Sequence, residues 1–228
     1  MYTYTNITHN NKKINYLLNS LFEYHPKEIN LSLSRIIQLL KKLKNPHLKL
    51  PKVVHIAGTN GKGSVASILF ELQKQAGRKV HVYRSPHLHK FNERIYVSNK
   101  MISDKYLIEI LEFIKEVNNG EKITFFEITT AAALYAFSIN KADLLILEVG
   151  LGGRYDATNV INKKECSIIT PIGMDHKEFL GDNIKKIAYE KAGIIGPKNL
   201  LISSKQKKSV AEIIEVVSQK QKCNSYLY

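Results

Sequence analysis

Tryptophan is missing altogether, and cysteine occurs only twice, at Cys166 and Cys223. Two thiols so far apart have neither metal-ligand spacing nor the density of a disulfide framework, so both are expected as free, reduced thiols. No uncharged apolar run approaches the roughly 18 residues of a membrane span, which excludes a transmembrane helix. The opening Met1-Tyr2-Thr3-Tyr4-Thr5-Asn6 has no basic segment leading into an apolar one, so no secretory signal is read there and the expected compartment is the cytoplasm. Internal repeats and linkers rich in Pro, Gly or Ser are also lacking.

Acid is the scarce charge. Asp and Glu number 20 against 34 Lys and Arg, a formal net charge of +14. Such a balance invites a nucleic-acid reading, but 29 of those cations are Lys and five are Arg. Base readers and phosphate forks favour the planar guanidinium. The lysines fall in short scattered pairs such as Lys41-Lys42 and Lys185-Lys186. The charge therefore reads as a solvated surface with some attraction for small polyanions, and nucleic-acid binding ranks last. With 228 residues, 44% of them hydrophobic, the chain can bury the core of one large domain.

Periodicity supplies the elements. The first dozen residues are polar and read as a frayed end. Apolar residues at helical spacing run through Ile14–Tyr24 and again from Leu33 to Leu43, bounded by Pro26 and Asn45-Pro46. Val53–Ala57 is a short apolar strand, followed by a glycine loop and a helix to Gln75. Strands are expected at Lys79–Tyr83, Asp143–Val149, Ser167–Thr170 and Leu200–Ser203, with Arg84–Lys100 a long loop holding a short strand near Arg94–Val97. Helices are expected over Asp104–Val117, Phe126–Ile139, Asn183–Gly193 and Ser209–Gln219. Alternating strands and helices give an α/β fold, a mostly parallel sheet with helices on both faces.

The loop Gly58-Thr59-Asn60-Gly61-Lys62-Gly63-Ser64 is the most informative segment. Its glycines let the backbone wrap closely and aim N–H groups at phosphate oxygens, and the next helix presents its positive end to the same anion. Lys62 can reach between the β- and γ-phosphates. The pattern is a P-loop with two departures. Ile56 stands where the first glycine of the usual spacing belongs, and Gly63 replaces the hydroxyl residue that would bind magnesium. Glu148 closes an apolar strand at the edge where ligands bind in such sheets, as a magnesium-binding carboxylate would. Asp156, in the glycine-rich turn after it, reads either as an acceptor for a ligand N–H or as a turn cap.

Six segments in order, HIAGTNGKGSV (55–65), SPHLHKFNERI (85–95), TFFEITTAAA (124–133), LEVGLGGRYDATNVI (147–161), GMDH (173–176) and EKAGII (190–195), resemble the folylpolyglutamate synthase/dihydrofolate synthase family, relatives of the Mur ligases. The resemblance implies a nucleotide-binding domain like the Mur ligase central domain over 46–228, a helical leader over 1–45 packed on it, and an absent C-terminal domain. It implies an ATP-dependent ligase that phosphorylates a carboxylate of folate or dihydropteroate and joins it to L-glutamate. A separate chain could carry the missing domain; the alternative is a non-catalytic ATP-binding remnant. SPHL…FNERI argues against the cell-wall branch of the superfamily.

By the same resemblance, Ser85 supplies the missing magnesium hydroxyl, Glu148 is the same ion's carboxylate ligand, and His176 binds a second magnesium together with Lys191 as a carbamate. Lys62, Glu148, His176 and Lys191 form the implied catalytic set. Thr124, Phe126 and Asp156 line the implied pterin-side pocket. Arg84 departs from the family, which places a small hydroxyl residue before Ser-Pro-His, and an added cation there would either aid phosphate binding or repel the metal. Lys177 is a second departure.

Overall fold

The computed structural model describes residues 9–26, 31–175 and 181–228. His176 and Lys177 lie outside the described residues. Eight strands form one sheet in the order β4-β3-β2-β5-β1-β6-β7-β8. They are β1 (Lys52–Ala57), β2 (Val80–Tyr83), β3 (Ile95–Val97), β4 (Lys100–Met101), β5 (Leu144–Glu148), β6 (Cys166–Ile169), β7 (Leu200–Ser203) and β8 (Asn224–Leu227). Across the sheet β2, β5, β1, β6, β7 and β8 pair in parallel, while β3 folds back antiparallel on β2 and β4 antiparallel on β3. The central strands β1 and β5 read as unbroken apolar runs because helices cover both sheet faces.

Helices α1 (Lys12–Phe22), α2 (Ser34–Lys42), α4 (Asp104–Asn118) and α5 (Phe125–Ser138) pack on the face bearing Val53, Leu145 and Leu147. Each start has a local cause. Asn11 accepts from the N–H groups of Lys13 and Ile14 to open α1. Thr124 and Glu127 close a reciprocal capping box on α5, which therefore begins at Phe125. The rings of Phe22 and Phe125 stack at 4.1 Å, so α1 is fastened to the start of α5. Helix α3 (Lys62–Gln75) covers the opposite face, against Ile56, Val80, Val82 and Ile146. Helices α6 (Ile184–Ala192) and α7 (Lys208–Lys220) bury Ala57, Ile169 and Leu201.

Both cysteines are free, and among the described residues no helix is long and apolar enough to cross a membrane. Two strands escape the sequence reading. β4 has two residues, and β8 is exposed at all four positions, so neither carries an apolar pattern.

Lys164 fixes the end of α6 from below. Its buried ammonium donates to Ile194 O (2.7 Å) and Asn159 Oδ1 (2.6 Å), while Asn159 donates to the carbonyls of Arg154 and Gly193. Burial pushes the Lys164 pKa down from 10.5 to about 7. Between those two pH values the unfolded chain holds a proton that the folded chain has released. Stability contributed at this site therefore rises with pH across that window. Urea melts should show the wild type gaining on a Lys164→Met variant between pH 7 and pH 10; a pH-independent gap would contradict the burial cost.

Candidate functional site

Four segments leave the carboxyl edge of the sheet together: Gly58–Ser64 after β1, Arg84–Pro86 after β2, Val149–Asp156 after β5 and Thr170–Asp175 after β6. Open parallel sheets bind ligands at this edge. At Gly58 the backbone takes φ +146°, and a Cβ there would lie 1.9 Å from Thr170 Oγ1, so only glycine lets β1 and β6 approach this closely. The Thr59 N–H donates to Pro171 O (3.0 Å) and so does that of Asn60 (3.3 Å). The Thr59 hydroxyl meets the backbone of Gly173. These two residues tie the loop down. The remaining N–H groups open α3 at Lys62, Gly63 and Ser64, in the first turn that lacks intrahelical partners.

Two ammonium groups meet on one carbonyl. Lys62 Nζ lies 3.2 Å from Gly58 O and 3.3 Å from Thr59 O, and Lys191 Nζ reaches the same Gly58 O at 2.9 Å from the last turn of α6. Lys191 is 2% exposed, and burial followed by the neighbouring Lys62 charge lowers its pKa from 10.5 to about 8. A carbonyl dipole cannot balance two cations, so the loop carries excess positive charge suited to a polyanion.

Glu148 faces this loop from the end of β5. A Cβ on Gly63 would sit 3.8 Å from both of its carboxylate oxygens, and its Cα-side neighbour at the next strand end, Ser85, donates a backbone N–H to it. Burial raises the Glu148 pKa to about 7 against the opposing pull of Lys62. The charge of Arg84 adds to that pull, and its guanidinium is anchored in the fold. Its guanidinium donates to Glu93 O (2.9 Å), Ser67 Oγ (3.3 Å) and Tyr96 OH (3.0 Å), and stacks over the Tyr96 ring. It clips the Ser85 segment to α3 and β3.

A cavity of about 180 Å³ opens between the start of α5, the Gly150–Ala157 turn, Ser85-Pro86 and residues Leu31, Ser32 and Arg35. Thr124 and Phe126 line it, Thr124 while capping α5. Gly150 allows the close approach of Phe126, whose Cζ would lie 2.4 Å from a Cβ at that position. Asp156 lines the cavity too, with its carboxylate saturated by loop donors. Oδ2 accepts from Gly150 N (3.1 Å) and Leu151 N (2.8 Å), and Oδ1 accepts from the Thr158 N–H and hydroxyl. Asp156 thus shapes the wall by holding Gly150 and Leu151.

Two charged groups on this cavity, the buried Arg94 and the half-buried Arg35, escape the sequence reading. Arg94, 1% exposed, donates from Nε to His87 Nδ1 (2.8 Å) and lies over the Phe91 ring. Burial, then the Arg94 charge, drives the His87 pKa down to about 4. The Arg35 Nε pairs with Glu127 Oε2 at 2.9 Å. An arginine inside the otherwise tight FNERI segment is the signal that points to the first; the pairing of residues 92 apart leaves none for the second.

The chain is similar to known proteins along most of its length. It is 44% identical over 177 residues to the dihydrofolate synthase/folylpolyglutamate synthase of Haemophilus influenzae, covering 78% of this chain and 40% of that one. Identity with the dihydrofolate synthetase of Saccharomyces cerevisiae is 39%, covering 82% and 45%. Among solved structures, the folylpolyglutamate synthase of Thermotoga maritima superimposes with a TM-score of 0.83 at 36% identity, covering 93% of this chain and 49% of that chain. Escherichia coli FolC in complex with DHPP and ADP gives 0.85 at 34% identity, covering 93% and 50%. The chain spans about half the length of these relatives or less. The model of the Mur ligase middle domain matches residues 56–228, and the chain, with its glycine loop, parallel sheet and acidic β5 terminus, belongs to that family.

Proposed function

We propose that the chain is the nucleotide- and acceptor-binding part of an ATP-dependent ligase that adds L-glutamate to a folate or dihydropteroate carboxylate. The observation that carries this reading is the convergence of Lys62 and Lys191 on Gly58 O, at the mouth of a loop whose free N–H groups open α3. Such a site binds a triphosphate. The solved relatives whose complexes hold ADP and DHPP support the two ligand classes.

In the reaction, an acceptor carboxylate oxygen attacks the γ-phosphorus and the bond to ADP breaks. The glutamate amine then attacks the acyl carbon, the C–N bond forms, phosphate leaves and the amine proton is released. Gly61–Ser64 hold the triphosphate, and Lys62 meets the charge that builds on the transferring group. Thr124, Phe126 and Asp156 form the acceptor wall, which places the carboxylate toward Ser85 and Glu148. Residues 1–45 serve as a leader on the ATP-binding unit 46–228, and closure over the cleft is assigned to a second domain, on the same or a separate chain.

The hydroxyl of Ser85 and the carboxylate of Glu148 are hard oxygen donors suited to magnesium. Among the described residues no group of three His, Cys, Asp or Glu could hold a metal; Ser85 and Glu148 would hold a magnesium ion that arrives with the nucleotide phosphates. Magnesium, when bound, neutralises the phosphate charge. His176 and Lys191 are assigned to a second ion. The lowered Lys191 pKa raises the share of neutral amine, from which carbon dioxide would give a carbamate and a proton; in that state Lys191 would be an anion, and Lys62 alone would remain as the cation on Gly58 O.

The test is calorimetric titration of the chain with Mg-ADP and with dihydropteroate, alongside ATP-dependent incorporation of labelled glutamate. Binding of both ligands is expected. No binding of either would reject the reading, and nucleotide binding without ligation would favour the non-catalytic form.

A further inference from the structure

His55 belongs to none of the groups placed so far. It sits in β1, three residues before Gly58, with 0% exposure. A buried imidazole in an apolar strand costs free energy unless its nitrogens are used. Nε2 lies 2.8 Å from Thr158 Oγ1, and Thr158 Oγ1 in turn meets Asp156 Oδ1. Three side chains thus form one line from the strand behind the glycine loop to the wall of the acceptor cavity.

We infer that His55 is a positioning residue for the acceptor pocket, whose Nε2–H donates to Thr158 and so directs the Thr158 hydroxyl proton onto Asp156, keeping that carboxylate ionised and the Gly150-Leu151 wall in place. This rests on the reading of the cavity as the acceptor site. The argument is one of proton counting. A threonine hydroxyl has a single proton to give. Asp156 already takes three backbone N–H donors, Gly150, Leu151 and Thr158, which favour its carboxylate form against the burial that pushes its pKa up. The hydroxyl proton therefore goes to Asp156, and His55 must donate through Nε2.

That tautomer leaves Nδ1 bare, and Nδ1 is among the buried atoms with no hydrogen-bond partner. The opposite polarity would place a proton on Asp156 Oδ1, against the Thr158 N–H, and an orphaned N–H on Nδ1. Burial first, and then the charge of Lys164, lowers the His55 pKa and disfavours a second ring proton. The resulting line is directional: donor at His55, relay at Thr158, anion at Asp156. Gly150 and Leu151, held by that anion, line the cavity. A strand that leads into the nucleotide loop thereby sets the shape of the acceptor wall.

Long-range nitrogen–proton correlation NMR on the whole chain reads the first half. His55 should show a protonated Nε2 and a bare Nδ1 throughout pH 6–8. A protonated Nδ1, as the other tautomer or as imidazolium, would overturn the inference whatever the chain binds. Binding reads the second half, with tetrahydrofolate or dihydropteroate as the acceptor probe and a fluorescent ADP analogue as the nucleotide probe. Thr158→Val and His55→Leu should each weaken acceptor binding about tenfold, the effect of one lost buried hydrogen bond, and leave the nucleotide Kd within about twofold. Thr158→Ser, which keeps the hydroxyl, and His55→Gln, which keeps an N–H donor, should recover most of it. Equal loss for both ligands, or no rescue by the conservative pair, would mark a purely structural role and reject the proposal. If His55→Leu does not fold, Thr158→Val carries the test, since valine keeps the shape of threonine. Failure of the wild type to bind either acceptor would reject the pocket's assignment instead, and the NMR result still decides the proton order.

Discussion

Replacing Lys62 by alanine should weaken binding of Mg-ADP by roughly 10- to 150-fold, the loss of one charge-assisted hydrogen bond, and should abolish any nucleotide turnover. The side chain lies partly exposed at the sheet edge, where its ammonium donates to the Gly58 and Thr59 carbonyls and its charge acts on Glu148 and Lys191. Removing it costs the fold little, because alanine is a better helix former than lysine at the start of α3. The melting temperature should stay within about 3 °C of the wild type, since a change under 1 kcal/mol moves a domain of this size by only a few degrees. Fluorescence titration beside a thermal melt separates the two effects. Unchanged nucleotide affinity in a folded variant would remove the triphosphate from this loop.

The larger structural effect is expected at Gly58. An alanine there meets Thr170 Oγ1 at 1.9 Å, Thr170 O at 2.9 Å and Thr170 C at 3.0 Å, with φ at +146°. The hydroxyl can rotate away at the expense of its bond to Ala57 O, but the carbonyl is backbone and is held by Gln206. Strand β6 must shift. Backbone strain of about 1–3 kcal/mol and overpacking of a similar size sum to roughly 2–6 kcal/mol. A melting temperature lowered by roughly 5–20 °C follows. Gly61→Ala is the control. Its φ is +85°, yet nothing lies within 4 Å of the added carbon, so it carries the strain alone. Equal melting temperatures for the Gly58 and Gly61 variants would show that β6 yields freely.

The apolar strands and the glycine loop were legible in the sequence because their signals are local. VVHIA and DLLILEV are apolar on both faces, and a loop of three glycines before a helix admits few alternatives. The meeting of Lys62 with Lys191 was legible only through the order of motifs, since residues 129 apart share no periodicity. The hydrogen-bond partners of Arg84 were hidden for a related reason. Its position beside Ser85 says nothing of β3, which folds back on β2 and offers Tyr96 and the Glu93 carbonyl, while the guanidinium charge still acts on Glu148. Asp156 left two readings open, and only the register of the turn shows all four of its acceptor sites filled. Polar edge strands such as β8 leave no trace in hydropathy, because pairing on one side asks nothing of the side chains.

Helix α5 has a consequence for how the molecule breathes. Eleven of its fourteen residues are buried, including the run Ala131-Ala132-Ala133, so the sheet on one side and α2 and α4 on the other leave it no room to tilt. Its first turn carries Thr124 and Phe126. Amides in such a segment exchange with solvent only when the whole domain opens. The edge of the cavity formed by Thr124 and Phe126 therefore sits on a tightly packed helix, and a guest there must suit its outline rather than remodel it.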